Sequence, residues 1–218
     1  NGTHGGDDVA NYSITLDTAN NYVVDQKAIT YDIASGNVTY GDNLSETPGA
    51  VSFTGVETDD VVTGTAQIDD TATSTAGYLQ AGTYTQSLAS SAGADLANYS
   101  ISANTLDDFV VDQKAVTYSI AAGNITYGDA HSAGTISYTG LETGDLVSAE
   151  AQIDDVSLST AVKLEAGTYT QSINGTHGGA DVANYSITLD TANNYVVDQK
   201  AVTYSIAAGN ITYGDGYG

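Results

Sequence analysis

The sequence predicts an all-β chain of tandem antiparallel sandwich modules, about 86 residues each, with essentially no helix. Three observations carry that prediction. The chain repeats itself: Val23-Val24-Asp25-Gln26-Lys27-Ala28 recurs from Val110 and from Val196, and Tyr-Gly-Asp follows at Tyr40, Tyr127 and Tyr213, so the spacing is 87 and then 86 residues. Within a unit the hydrophobic period is two, as in Ile29, Tyr31 and Ile33 alternating with Thr30 and Asp32. Clusters of Gly, Asn and Asp punctuate these runs every ~8–12 residues, which leaves room for about seven short strands per unit, the pattern of an Ig-like sandwich.

The elements follow in order. Residues 1–28 match 174–201 with one difference, Asp7 against Ala180, and read as the C-terminal part of a repeat. Residues 29–115 and 116–201 are complete repeats, and 202–218 form the N-terminal part of another. In the first complete repeat the strand runs are Ile29 to Ile33, Ala50 to Thr54, Val62 to Ile68, Thr83 to Leu88 and Phe109 to Val111, after turns such as Ser35-Gly36-Asn37 and Thr58-Asp59-Asp60. The copies differ as a buried inner face and a tolerant outer face allow. Ile29/Val116 and Val38/Ile125 stay apolar, while Asp32/Ser119 and Ser35/Ala122 change small or polar residues. The segment Val-Val-Asp-Gln-Lys-Ala-Ile/Val-Thr-Tyr contains no Gly or Pro, so one strand is expected to run directly into the next module through a stiff junction. Units cut in mid-repeat at both ends, in a sequence without Met, lead us to expect a stretch of a longer array.

Composition narrows the function. Four Lys and no Arg stand against 27 acids, for a formal net charge of −23, which excludes nucleic acid and anionic membrane surfaces as partners. No apolar run is long enough for a membrane-spanning helix, so direct membrane insertion is not expected. Without Cys there are no disulfides, thiolate nucleophiles or zinc–thiolate sites. High charge of one sign suits a solubilised, self-repelling array.

The order of Tyr-Gly-Asp (127–129), Ser-Tyr-Thr-Gly-Leu-Glu-Thr-Gly-Asp (137–145), Ala-Gly-Thr-Tyr-Thr (166–170), Ala-Asn-Tyr-Ser-Ile (183–187) and Val-Val-Asp-Gln-Lys-Ala (196–201) resembles the MBG/YDG-type repeats of large secreted bacterial adhesins of the filamentous-haemagglutinin kind. The resemblance covers both complete units and both fragments. It implies Ig-like modules strung in tandem, an extracellular cell-surface location, a stalk role and no catalytic residues. The Pro that usually follows Tyr-Gly-Asp in that family is absent, with Pro48 further on, so this loop is expected to differ.

Candidate chemistry is sparse. Asp59, Asp60, Asp69, Asp70, Asp154 and Asp155 are the candidate calcium ligands, because paired Asp with turn carbonyls supplies hard oxygens. Asp also forms turns by bonding nearby backbone, and that reading leads, since no Asp-x-Asp-x-Asp-Gly loop is present. Nine Asn-x-Ser/Thr sequons occur, at Asn1, Asn11, Asn37, Asn43, Asn98, Asn124, Asn174, Asn184 and Asn210. Those in the repeated Gly-Asn-Ile/Val-Thr-Tyr and Asn-Tyr-Ser blocks (Asn37, Asn124, Asn210, Asn11, Asn98, Asn184) are the glycosylation candidates. Lys27, Lys114 and Lys200 are expected to pair with Asp25, Asp112 and Asp198 on the same strand face. His4, His177 and His131 read as surface-loop residues, because they do not recur in every unit. Tyr31, Tyr40, Tyr84 and Tyr99 read as core. No set of acid, base and nucleophile repeats, so no enzyme and no cofactor beyond candidate calcium is expected. The expected partners are neighbouring modules of the same chain and, in a fibre, other copies. The leading function is a structural stalk. The alternatives are a filament completed by strand exchange between chains and a calcium-stiffened or glycosylated surface-layer protein.

Overall fold

The computed structural model describes residues 3–15, 21–42 and 47–216. Eight strands build the first repeat: β1 (Lys27–Ile33), β2 (Gly36–Thr39), β3 (Val51–Thr54), β4 (Thr63–Ile68), β5 (Gly82–Tyr84), β6 (Gln86–Ala92), β7 (Tyr99–Leu106) and β8 (Phe109–Asp112). Eight more build the second: β9 (Lys114–Ile120), β10 (Gly123–Thr126), β11 (Ile136–Thr139), β12 (Ala151–Ile153), β13 (Gly167–Tyr169), β14 (Gln171–Ile173), β15 (Tyr185–Ala192) and β16 (Tyr195–Asp198). The helical segments among the described residues are 3-10 turns at Val9–Asn11, Leu96–Asn98 and Val182–Asn184. The chain is all-β, as its alternation and β-branched content require.

Strand pairing divides the described chain at Gln113, slightly before the repeat boundary set from sequence. The sheets of the first repeat have orders β3-β1-β7, β2-β8-β5 and β4-β6, and the second repeats them as β11-β9-β15, β10-β16-β13 and β12-β14. The purely antiparallel arrangement expected from sequence does not hold. β1 runs parallel to β7, β2 to β8, β9 to β15 and β10 to β16. The first two strands of a unit thus enter two sheets side by side with its last two, and β3 to β6 form the long connection that a parallel pair needs. Alternation encodes which face of a strand is buried and carries no information on the direction of its neighbour.

Ile29 and Ile33 from β1 and Phe109 and Val111 from β8 are buried, as are Val116, Ile120, Tyr195 and Val197 one repeat later. A buried glutamine ties each unit together. Gln86 donates from Nε2 to the carbonyls of Ala34 (3.0 Å) and Asp107 (2.7 Å) and accepts the Gly49 N–H at 2.7 Å. Gln171 does the same with Ala121, Asn193 and Gly134. Each such amide is satisfied on both ends, which is the condition for burying it.

Outside the repeats, residues 200–215 are identical in sequence to 114–129. The internal copy forms β9 and β10, whereas 200–212 contain no strand. Val116 is 1% exposed and its counterpart Val202 is 87% exposed. A strand this short needs a paired neighbour and a covering layer, and only the internal copy has both. Among the described residues no helix is long and apolar enough to cross a membrane.

Candidate functional site

The densest chemistry in the molecule lies where the repeats meet. β8 and β9 are separated by Gln113 alone. Around that linker, the first repeat offers Tyr40, which follows β2, and the loop 74–81. The second offers the turn 142–145, the 3-10 turn Val182–Asn184 and Tyr185.

Among the described residues, the hydrogen bonds between repeats all run one way, from donors on the first to acceptors on the second. The Tyr40 hydroxyl donates to Asp145 Oδ2, and the Ala76 N–H to Asp145 Oδ1 at 3.0 Å. The Thr75 N–H donates to Asp181 Oδ1 and the Ala81 N–H to Asn184 Oδ1, each at 2.9 Å. Gln113 Nε2 donates to the Ala183 carbonyl at 2.9 Å. The acceptors are fixed within their own repeat: Tyr185 also donates to Asp145 Oδ2 at 2.5 Å, and the Leu146 N–H to Asp181 Oδ2 at 2.8 Å. Hydrogen bonds to carboxylates of this kind contribute about 1.5–3 kcal/mol each.

Apolar contact fills the remainder. Tyr40 is 0% exposed and sets its ring edge-on to Tyr185, with centroids 5.3 Å apart, and to Tyr78 at 5.8 Å. Leu79, Phe109 and Val111 from the first repeat share one cluster with Val116 and Tyr185 from the second. Gly41 closes the contact. Its φ of +83° favours glycine, and a Cβ there would collide with the Glu142 carboxylate, which Lys114 holds in an ion pair. Burial, reinforced by the Asp145 carboxylate, pushes the Tyr40 hydroxyl up to about 12 and raises Tyr185 as well. Burial alone would raise Asp181, but the N–H groups of Leu146 and Thr75 outweigh it and hold this carboxyl below the ordinary range.

The two outer faces carry the same parts without a partner. Facing the N-terminal segment, Tyr99 donates to Asp60 at 2.5 Å, Asp95 accepts the Val61 N–H at 2.8 Å, and Gln26 holds the Ala97 carbonyl at 3.0 Å, as Gln113 holds Ala183. Facing the C-terminal segment, Tyr127 donates to Ser159 at 2.9 Å. Gly128, the counterpart of Gly41, has open space where a Cβ would stand.

The residues singled out from sequence fall in several places. Asp59, Asp70 and Asp155 have positive φ (72°, 52° and 49°), a conformation Asp tolerates in turns. Asp69 accepts from Ser87 and Asp154 from Ser172, at 2.7 and 2.6 Å, while Asp60 belongs to the N-terminal face. Among the described residues no three His, Cys, Asp or Glu converge as metal ligands. Asn37, Asn124, Asn210, Asn11 and Asn98 are exposed. Asn184 is 2% exposed and inside the joint, so the folded joint leaves no room for a glycan there. Asn1 and Asn43 lie outside the described residues.

The lysines do not pair as expected. Lys27 pairs with Glu57 at 2.5 Å and Lys114 with Glu142, because the turn after β3 or β11 comes beside the start of β1 or β9. Asp112 instead accepts Asn37 Nδ2 across the β2–β8 pair at 2.9 Å. His177 is half-buried rather than a free loop residue. It sits against Tyr118, centroids 4.7 Å apart, with Nδ1 2.9 Å from the Tyr138 hydroxyl, and burial lowers its pKa. The first repeat has Phe53 and Ser91 in place of Tyr138 and His177, a paired change that marks the contact.

Strand alternation does not reveal the joint itself. Its signal is the set of polar residues recurring off the alternating strands: Asp60 and Asp145, Asp95 and Asp181, Gly41 and Gly128. No family model matches the chain, and a search of curated proteins finds no significant relative, so the likeness to MBG/YDG-type repeats stands on its motifs alone.

Proposed function

We propose that the chain is a structural element, a stalk segment of a long extracellular surface adhesin or fibre built from tandem β-modules of the MBG/YDG type. The observation that carries this reading is the joint between repeats, where a one-residue linker, five directed hydrogen bonds and a shared apolar cluster resist bending together. Repetition of one joint makes length proportional to copy number, the arithmetic of a rod. The charge of −23 keeps neighbouring rods apart at low salt. Exposed sequons such as Asn37 and Asn124 are the candidate positions for a glycan, in contrast to the buried Asn184.

Small-angle X-ray scattering on arrays of two, four and eight repeats tests the reading. A rod gives a radius of gyration that rises in proportion to repeat number, and growth as the square root would mean freely jointed beads.

A further inference from the structure

The stretch that leads into the joint's acceptors is built differently in the two repeats. Six residues separate Leu88 from Asp95 and seven separate Ile173 from Asp181, because Asn174-Gly175-Thr176-His177-Gly178 stands where the first repeat has Ala89-Ser90-Ser91-Ala92. In the first repeat β6 runs unbroken to Ala92, which pairs with Thr63. In the second, β14 ends at Ile173 and Gly175 turns the chain at a φ of +86°. Pairing resumes at Gly178, which donates to the Ser148 carbonyl at 2.8 Å and accepts the Ser148 N–H at 2.9 Å. His177 is thereby carried onto the sheet face that holds the buried Val116 and Ile120, against Tyr118 and 2.9 Å from the Tyr138 hydroxyl.

This cluster abuts the joint. Tyr138 and Val147 pack against the apolar cluster that both repeats share. Next to the Ser148–Gly178 pair, Leu146 and Asp181 bond each other twice. The Asp181 N–H donates to the Leu146 carbonyl at 3.2 Å, and the Leu146 N–H to the Asp181 carboxylate at 2.8 Å. Gly179 permits that approach, since a Cβ there would strike the Leu146 carbonyl. The other oxygen of Asp181 holds the Thr75 N–H of the first repeat.

The imidazole is placed to be neutral. The titratable groups against it are the hydroxyls of Tyr118 on β9 and Tyr138 on β11. β15 brings the apolar Leu189 opposite Tyr118, and the segment that lines a cleft with Tyr138 brings Val147, Ser148, Ala149 and Glu150. Among the described residues neither Glu150 nor any other carboxylate forms an ion pair with the ring, and Asp181 is turned to Leu146 and Thr75. A neutral ring can accept the Tyr138 hydroxyl proton at Nδ1. An imidazolium can only donate, and it would carry its charge between two aromatic rings without a counter-ion. Burial accordingly holds its pKa below the ordinary 6.5. The contribution of the neutral ring is therefore complete above the unfolded value and is lost as pH falls from there through the lowered one.

We propose that His177 makes the joint acid-sensitive: on taking a proton from solvent it leaves the Tyr118–Tyr138 site, the Gly178–Ser148 pair opens, and Asp181 loses its hold on Thr75. The first repeat, with Ser91 and Phe53 at these places, has no such group, so the response belongs to repeats of the second kind. The proposal rests on the joint reading and adds to it a condition under which selected joints of a stalk loosen.

Hydrogen exchange on the full chain, corrected for intrinsic rates, tests it together with an NMR titration of the imidazole and a His177→Gln variant. Protection of the Gly178, Ser148 and Thr75 amides is expected to fall at least several-fold between ~pH 7 and ~pH 5, while the Thr63–Ala92 pair keeps its protection. The fall is absent in His177→Gln, and His177 titrates below 6.5. A His177 that titrates at or above 6.5, protection that does not change with pH, or an equal fall in His177→Gln overturns the proposal. The titration needs only the parent chain, so a variant that fails to fold does not shelter the idea. Loss at Gly178 and Ser148 with Thr75 still protected would overturn the link to the joint and leave the joint reading standing. Thr75 unprotected already at neutral pH would undo the joint reading itself.

Discussion

Tyr40 and Tyr127 occupy the same place in the repeat, and so do Gly41 and Gly128, yet their surroundings differ. Tyr40 is fully enclosed, with its hydroxyl on Asp145 of the following repeat, while Tyr127 is half-buried and donates only to Ser159 within its own. A Cβ on Gly41 meets Glu142, and one on Gly128 meets nothing. The same residues therefore do two jobs. They close a turn in every unit, and where a neighbour follows they also lock that neighbour's orientation. Substituting matched pairs separates the two contributions.

The largest difference is expected at the carboxylates. Asp145→Ala leaves the Tyr185 hydroxyl and the Ala76 N–H without their acceptor and the Tyr40 hydroxyl with Ser74 Oγ alone, and should cost about 3–5 kcal/mol, read as a lower urea midpoint. Asp60→Ala, in the open face, frees only Tyr99 and should cost about 1 kcal/mol. Equal losses would mean that the joint adds nothing. Next comes the glycine pair: Gly41→Ala combines a positive φ with a collision and should destabilise by about 2–3 kcal/mol, against about 1 kcal/mol for Gly128→Ala.

Tyr40→Phe removes one charge-assisted bond and should cost about 2 kcal/mol, whereas Tyr127→Phe should cost about 0.5–1 kcal/mol. Tyr40 also makes the joint sensitive to alkali. Its folded-state value is raised from 10.0 to about 12, so its contribution is complete below the unfolded value and is lost as pH rises through that window. Tyr40→Phe should abolish that part of the alkaline transition. Asp181 acts at the other end. Its lowered value means a contribution present above the ordinary carboxylate range and lost as pH falls through the lowered one. Alkaline and acid titrations followed by thermal unfolding check both signs.

The smallest effect concerns the loops on the two donor faces. Val162 has φ of +55°, where the first repeat has Gly77 at +88°. A β-branched residue is strained there, so Val162→Gly should stabilise by about 1 kcal/mol and Gly77→Val should do the reverse. If Val162→Gly lowers the melting temperature, this loop is not strained as described.

How much of this was legible in the sequence follows from what periodicity can encode. Ile29, Ile33, Val116 and Ile120 announced buried faces by alternation, and the near absence of helix followed from the missing 3.6-residue period. The parallel pairs were not legible, because β1 and β7 meet only after the chain has folded through five intervening strands. Gln86 and Gln171, fully enclosed, look like ordinary polar strand residues in the repeated Thr-Gln-Ser. The joint was hidden for a further reason. Its polar members, Asp145, Asp181 and Asn184, belong to residue types that read as turn formers and sequons, and only a neighbouring repeat reveals them as acceptors. The identical segments 114–129 and 200–215 make the same point more simply, since sequence alone does not make them strands.

The joint, if rigid, holds adjacent repeats in one orientation. With no cysteine in the chain, Ser100→Cys and Ser186→Cys place one spin label at equivalent exposed sites of β7 and β15, and pulsed dipolar spectroscopy reads the distance between repeats directly. A single narrow distance is expected, and it should broaden when Asp145→Ala is added. A broad distribution in the parent chain, unchanged by Asp145→Ala, would contradict it.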